Sequence, residues 1–269
     1  MGKQILITGA TDGIGFETAK SLASQGHDLL LHGRNPEKLA AASEMLLKSE
    51  EAGHIESFRA DLSQLSEVRQ LCTDIAVKHP RLDVIINNAG VFDTPEPLTE
   101  DGFDVRFMVN TIAPYLLSKT LLPLLDTDGR IINLSSAAQM PVDLKALQGN
   151  RVALPAHAAY AQSKLALTMW TGALASSLGD KAVVIVAVNP ASMLGSKMVK
   201  QAFGVDGADL QIGADILYRA ALSEEFATAS GKYFDNDIGR FSSPHPDALD
   251  SQKCQQLTHI LEAIITNNN

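Results

Sequence analysis

The stretch that most constrains this chain is its start, Ile5-Leu6-Ile7-Thr8-Gly9-Ala10-Thr11-Asp12-Gly13-Ile14-Gly15. Residues 5–7 are an unbroken apolar run rich in β-branched side chains, the pattern of a strand buried on both faces, and glycines follow at 9, 13 and 15. From Phe16 the period changes. Phe16, Ala19, Leu22 and Ala23 recur at spacings of three and four, which predicts a helix over 16–23 with Gly26 at its C-cap. Without a Cβ, glycine lets such a turn take positive φ, bring its N–H groups up to an anion and pack helix closely on strand. The helix N-terminus adds unpaired donors and about half a unit of positive charge, which suits a pyrophosphate. Gly9, Gly13 and Gly15, with Thr11, Asp12 and Ile14 among them, are therefore the expected cradle of a dinucleotide.

The rest of the chain repeats this rhythm. Strands are predicted over 28–32, 55–60, 82–86, 130–134 and 182–188, with a short seventh over 231–234. Asn35-Pro36-Glu37 supplies an N-cap, a first-turn proline and an acidic first turn for a helix running to about Lys48. Further helices are predicted over 66–78, 103–125, 158–178 and 247–265. Strands alternating with helices form right-handed crossovers, so the fold class is α/β, a doubly wound parallel sheet of about seven strands with helices on both faces. No linker or repeat divides the chain, and residues 1–269 read as one domain. Two segments are irregular, 137–157 and 193–207. The second, within a predicted substrate lid over 189–208, carries Met193, Leu194, Met198 and Phe203. Residues 231–269 supply a C-terminal strand and helix.

Ligands of such sheets sit at the carboxyl ends of the strands. Those ends here read Asp61-Leu62, Asn87-Asn88-Ala89-Gly90, Ser135-Ser136 and Asn189-Pro190-Ala191-Ser192. Asn110 stands among apolar neighbours inside a predicted helix and needs partners, while Tyr160 and Lys164, four apart, share a helix face. A Tyr and a Lys four apart, a pair of serines or an Asn in a helix is commonplace alone; their joint order beside a glycine turn is not.

A net charge of −9 and a pI near 5.2 argue against nucleic acid or an anionic membrane as partner. No apolar stretch reaches the 18 or so residues of a membrane span, and a first strand beginning by residue 4 leaves no room for a signal peptide. The two cysteines, Cys72 and Cys254, lie far apart on predicted helices, which reads as free thiols in a reducing cytoplasm and offers no metal site. The Asn133-Leu134-Ser135 sequon falls in a strand expected to be buried.

Thr8-Gly9-x-x-x-Gly13-x-Gly15, Asp61-Leu62, Asn87-Asn88-Ala89-Gly90, Asn110, Ser135-Ser136, Tyr160-x-x-x-Lys164 and Pro190 together resemble the short-chain dehydrogenase/reductase family. The tail from Gly231 and the insertion before Tyr160 resemble its retinol-dehydrogenase-like branch. The resemblance implies a Rossmann-type fold and NAD(P)-dependent carbonyl reduction or alcohol oxidation. Tyr160 would be the proton donor, and Lys164 would lower its pKa and hold the nicotinamide ribose. Ser136 would bind the substrate oxygen, and Asn110 would anchor a water that relays protons to Lys164. The cofactor contacts implied are Gly9, Thr11, Asp12, Gly13, Ile14, Gly15, Arg34, Asn35, Asp61, Leu62, Asn88, Ala89, Gly90, Pro190 and Ser192, besides Tyr160 and Lys164. Two features depart from the family pattern. Ala191 replaces its usual glycine, and Ser136 and Tyr160 stand 24 residues apart, farther than in most relatives.

An NAD enzyme places Asp or Glu at the end of the second strand, where the carboxylate repels a 2′-phosphate. Here His32-Gly33-Arg34-Asn35 occupies that position. Arg34 predicts NADP(H) over NAD(H), with Gly33 leaving room for the phosphate, although Asp12 stands where NADP-using relatives often carry a base. The expected substrate is an apolar carbonyl or secondary alcohol, on account of Leu144, Leu147, Leu154, Met193 and Phe203. The alternative is a catalytically silent NADP(H)-binding sensor or scaffold. A third possibility, a sugar-nucleotide epimerase, would carry a larger C-terminal domain than this chain can hold. Helices 103–125 and 158–178 carry more apolar residues than one core-facing stripe requires, among them Leu116, Leu121, Leu165, Met169 and Trp170. The family pairs these two helices across a two-fold axis, which predicts a homodimer or homotetramer.

Overall fold

The apolar runs become β1 (Gln4–Ile7), β2 (Asp28–Gly33), β3 (Ile55–Arg59), β4 (Leu82–Asn87), β5 (Leu125–Leu134), β6 (Val184–Asn189) and a short β7 (Tyr233–Asp235) in a computed structural model that describes residues 2–179 and 183–267. They pair in parallel in the order β3-β2-β1-β4-β5-β6-β7, and an eighth strand absent from the sequence reading, β8 (Arg240–Ser242), returns antiparallel on β7. The expected start of the sixth strand at Ala182 lies outside the described residues. The helices are α1 (Gly13–Ala23), α2 (Pro36–Leu46), α3 (Leu65–Lys78), α4 (Val105–Phe107), α5 (Ala113–Leu121), α6 (Leu144–Leu147), α7 (Ala156–Leu178), α8 (Lys197–Phe203), α9 (Leu210–Leu222) and α10 (Ser251–Asn267).

Successive side chains on a strand point to opposite faces, so an unbroken apolar run can feed two cores. Leu6, Leu30, Ile85, Ile131 and Ile185 pack under α3, α5 and α7. Ile5, Ile7, Leu29, Leu31, Val84 and Ile86 pack on the other face with α1, α2 and α9. The sequence reading missed α9, although Ala214, Leu217 and Ala221 form a readable buried stripe.

Four expectations need correction. The helix expected over 103–125 is broken into α4, a π-helical turn (Met108–Ile112), α5 and a 3-10 turn (Leu122–Leu124), and β5 begins at Leu125. Pro114 has no N–H to offer the carbonyl of Asn110, so the ladder is interrupted at the turn that carries Asn110. Segment 137–157 contains α6, whose Ala146 and Leu147 are buried in the core, so Leu147 forms core and not pocket wall. Segment 193–207 is not irregular throughout, because it contains α8, N-capped by Ser196 and closed by a left-handed Gly204. The C-terminal helix starts at Ser251, after a 3-10 turn (Pro246–Leu249).

The apolar surplus that pointed to a homo-oligomer is accounted for within the chain. Leu116, Leu121, Leu165, Met169 and Trp170 share one core with Cys254, Leu257, Leu261 and Ile264, the apolar stripe of α10. Polar contacts fix the helix there, since the Tyr115 hydroxyl donates to Glu262 at 2.5 Å and Lys119 pairs with the same carboxylate at 2.9 Å. The apolar surplus therefore does not require a second copy of the chain to cover it. Both cysteines are buried free thiols, and burial raises the Cys72 pKa to about 12. Asn133 of the sequon is fully buried in β5. Among the described residues no helix is long and apolar enough to cross a membrane.

Leu257 is 0 % exposed at the centre of the α10 contact. Leu257→Ala should therefore cost about 2–5 kcal/mol of stability. Urea unfolding checks this: the midpoint should fall at unchanged slope.

Candidate functional site

At the carboxyl end of β1 the chain turns through Gly9 (φ 66) and Gly13 (φ 56), both in the left-handed region, and enters α1. A Cβ on Gly15 would lie 2.3 Å from the Asn88 amide nitrogen and 2.4 Å from the Gly9 carbonyl oxygen, so Gly15 is required by close approach. Asn88 earns its place structurally. Its Nδ2 donates to the carbonyls of Thr8 (2.9 Å) and Gly9 (3.1 Å), while the Thr8 hydroxyl accepts from the backbone of Asn88 and Ala89, each at 3.1 Å. Nothing would lie within 4 Å of a Cβ on Gly13, so open space faces the N-terminus of α1. This cradle fits a pyrophosphate.

His32, unassigned by the sequence reading, pins the turn from behind. Its Nδ1 accepts from Gly9 N at 3.3 Å and its Nε2 donates to the Ala60 carbonyl at 3.0 Å. Burial lowers its pKa to about 4, which keeps the ring neutral and able to accept at one nitrogen and donate at the other.

A cleft of about 560 Å³ runs from this turn across the sheet, within the range of small-molecule sites. Gly9, Thr11, Asp12, Gly13 and Ile14 line its centre; Arg34, Asp61 and Leu62 line the β2–β3 end; Ala89, Gly90, Tyr160, Lys164 and Pro190 line the other. Arg34 is 72 % exposed and touches only the margin of an ion-pair distance to Asp61, 3.9 Å. Asp61 accepts from both the backbone N–H and the hydroxyl of Ser63. Two expected contacts, Asn35 and Asp12, and the space expected at Gly33 take other work. The Asn35 carboxamide caps α2 by accepting from Lys38 N at 2.8 Å, and Asn35 lies outside the cleft lining. Gly33 makes room for Thr11, whose methyl would be 2.5 Å from an added Cβ. Asp12 accepts from Gly13 N and pairs with Lys197 at the start of α8. Partial burial pushes the Asp12 carboxyl up, but these bonds outweigh it and hold it below the usual range.

The catalytic candidates converge at the ends of β4 and β5. Lys164 is buried in α7, its Nζ donates to the Leu134 carbonyl at 2.6 Å, and burial lowers its pKa to about 8. The ammonium stands 5.6 Å from the Tyr160 ring centre. Tyr160 departs from the lowered pKa expected of it. Burial raises it, and a hydrogen bond from the Ser136 hydroxyl offsets this only in part. The serine pair lies just past the end of β5 and its side chains part: Ser135, buried at the edge of the cleft, bonds Thr168 at 2.7 Å, whereas Ser136, which is not among the lining residues, hydrogen-bonds Tyr160.

Asn110 is 1 % exposed and fully used. Its Oδ1 accepts from Val91 N at 2.8 Å, and its Nδ2 donates to Val91 O and to Ser163 Oγ, both at 2.9 Å. Ser163 in turn donates to the Tyr160 carbonyl at 2.7 Å, so Asn110 ties the loop after β4 to the turn of α7 that carries the tyrosine. Gly90 lies against both Asn110 and Lys164: a Cβ there would be 3.4 Å from Asn110 Oδ1 and 3.6 Å from Lys164 Nζ.

Two aromatic residues escaped the sequence reading. Phe92 packs on Tyr160 at 5.1 Å between ring centres and on Phe203 of α8 at 5.9 Å. Tyr233 of β7 donates to the Ser136 carbonyl at 3.2 Å, steadying that serine from behind. Phe92 follows Asn88-Ala89-Gly90 at a strand's carboxyl end, a position that could have flagged it; nothing near Tyr233 in sequence could. Val105, Val109 and Met198 complete the apolar wall, while the five residues expected to form it, Leu144, Leu147, Leu154, Met193 and Phe203, are not among those that line the cleft.

A family model described as short chain dehydrogenase matches residues 3–204. Human retinol dehydrogenase 13 is 33% identical over 274 residues, covering 95% of this chain and 82% of that protein. Among solved structures, the angucycline C-6 ketoreductase LanV with bound NADP superposes with a TM-score of 0.70 at 26% identity, over 87% of this chain and 93% of that one. A metagenomic short-chain oxidoreductase in complex with NADP gives 0.63 at 30% identity, over 82% and 90%. Glycine cradle, cleft and convergent Tyr160, Lys164 and Ser136 thus agree with these likenesses: the chain belongs to the short-chain dehydrogenase/reductase family, on its retinol-dehydrogenase-like branch, and is an oxidoreductase acting between CH–OH and carbonyl groups.

Proposed function

We propose that this chain is an NADP(H)-dependent oxidoreductase of apolar carbonyls and the corresponding secondary alcohols, with Tyr160 as general acid and base. The observation that carries the reading is a single cleft with Arg34 at one end, the glycine turn in the middle, and Tyr160, Lys164 and the apolar Phe92 at the other. The names of the relatives, a retinol dehydrogenase and an NADP-bound ketoreductase, support the same substrate and cofactor classes.

The bound dinucleotide would supply or accept the hydride. The protein does the proton work. In the reducing direction the Tyr160 phenol gives its proton to the oxygen of the forming alkoxide, and Ser136 holds that oxygen by a hydrogen bond. Lys164 stabilises the phenolate left behind, because a positive charge close by favours the ionised tyrosine. Lys164 is buried and Tyr160 and Ser136 are partly so, which limits how far water weakens their electrostatics. Phe92, Val109 and Met198, which line the cleft, suit an apolar substrate body. At the far end, Arg34 presents a mostly free guanidinium where an NAD enzyme would place a carboxylate, and it can grip a 2′-phosphate by two hydrogen bonds.

Tyr160→Phe should lower kcat by about 10²–10⁴ and leave NADPH affinity nearly unchanged, since the ring remains and only the proton is lost. Steady-state kinetics on the best substrate of a ketone, aldehyde and alcohol panel, with a separate cofactor titration, tests it; retention of more than a few per cent of activity would refute the assignment. Arg34→Ala should weaken NADPH by about tenfold and NADH little, as expected for one exposed charge-assisted contact worth about 1.4 kcal/mol. An unchanged preference in the mutant would remove the NADP(H) assignment. The Lys164 pKa near 8 sets a pH dependence. Lys164 is charged below that value and neutral above it, so kcat/KM for carbonyl reduction should hold below about pH 8 and fall as pH rises through it. A profile flat to pH 10 would contradict this.

A further inference from the structure

The turn after β6 is held by a remote hairpin. Ala191 takes φ 110 and Met193 φ 55, a left-handed region that side-chain-bearing residues enter only when their surroundings impose it. The surroundings here are residues 235–237, the tip between β7 and β8. Asn189 Nδ2 donates to Asp235 Oδ1 at 2.8 Å and to Asp237 Oδ2 at 2.9 Å. On the far side of Ala191, Ser192 gives Asp237 two hydrogen bonds, its backbone N–H to Oδ1 at 2.7 Å and its hydroxyl to Oδ2 at 2.6 Å. Asn236 closes the grip from N–H to the Asn189 carbonyl and from Nδ2 to the Pro190 carbonyl, each at 3.1 Å. A single carboxylate thus holds residues on both sides of the strained position. Partial burial pushes the Asp237 carboxyl up, yet the bonds from Ser192 and Asn189 outweigh it and keep the group ionised well into the acid range.

Pro190 lines the cleft on the same side as Tyr160 and Lys164, the end remote from Arg34. In sheets of this topology a dinucleotide spreads across the switch point, one half on each side. With its adenosine 2′-phosphate at Arg34, the cofactor would bring its nicotinamide half to the end lined by Pro190. Where a glycine would take φ 110 unaided, alanine does not.

We propose that Asp237 is a positioning residue for the nicotinamide end of the cleft: by gripping Asn189 and Ser192 it holds the left-handed turn at Ala191 in the shape that receives the nicotinamide half of the cofactor. The inference rests on the NADP(H) reading above. It adds a residue 46 positions beyond the turn that it shapes, on an edge hairpin that the cleft lining does not include.

The test titrates the full-length protein with two probes, NADPH by fluorescence and adenosine 2′,5′-bisphosphate by calorimetry. The second probe would occupy the Arg34 end and the glycine turn and stop short of the 190–193 turn. Asp237→Ala should weaken NADPH at least tenfold and leave the bisphosphate within twofold of wild type. Asp237→Asn, whose amide oxygen can still accept from Ser192 N–H, should lose three- to tenfold on NADPH alone; it also carries the test if Asp237→Ala does not fold. Adding Ala191→Gly to Asp237→Ala should recover part of the loss, because glycine populates this φ without a clamp. NADPH affinity within twofold of wild type in both Asp237 variants would overturn the proposal. So would equal losses on both probes, which would mark a general structural role, or no recovery from glycine. Wild-type protein that binds neither probe would overturn the NADP(H) reading itself and the inference with it, an outcome distinct from failure of Asp237 alone.

Discussion

The contact between the turn after β1 and the loop after β4 sets the geometry of everything else. Asn88 can donate to the carbonyls of Thr8 and Gly9 only because Gly15 and Gly9 offer no side chain there; an added Cβ would fall 2.3 Å and 3.1 Å from its amide nitrogen. That approach fixes the N-terminus of α1 over the sheet edge and places Gly90 against Asn110 and Lys164. From Gly90 the order passes through Val91 to Asn110, then through Ser163 to the backbone of Tyr160. The glycine turn and Tyr160 are thereby parts of one hydrogen-bonded body, and a shift of either is felt by the other. Buried networks of this kind are costly when half satisfied and rigid when complete.

Burial and charge work against each other at the reacting end. Taking Tyr160 out of water disfavours its phenolate, and taking Lys164 out of water disfavours its ammonium. The Leu134 carbonyl, 2.6 Å from Lys164 Nζ, is the acceptor that keeps a cation supportable there. The outcome is a lysine pulled down to about 8 beside a tyrosine pushed above its ordinary value.

Much of this was legible in the sequence wherever one short segment carries its own reason. The glycines at 9, 13 and 15, the apolar strands and the shared face of Tyr160 and Lys164 are local patterns, and each sits where its pattern placed it. What escaped depends on partners remote in the chain. Asp12 looked misplaced because its counter-ion, Lys197, lies on α8. The turn at Ala191 looked like a defect because its clamp, Asp237, lies on an edge hairpin. Asn110 read as a polar intruder in a regular helix, whereas it sits in a π-helical turn and Val91 of the loop after β4 and Ser163 of α7 give its amide oxygen and nitrogen their partners. The apolar excess of helices α5 and α7 was real, but periodicity cannot say whether its cover comes from another copy or from the same chain.

Here the cover is α10, and it is tethered. A partner recruited from solution is lost on dilution, whereas a covering helix joined through β8 and a short 3-10 turn meets its face at an effective concentration that dilution cannot change. The face formed by Leu116, Met169 and Trp170 is therefore closed by an intramolecular equilibrium. Its opening depends on temperature and on the apolar stripe of α10.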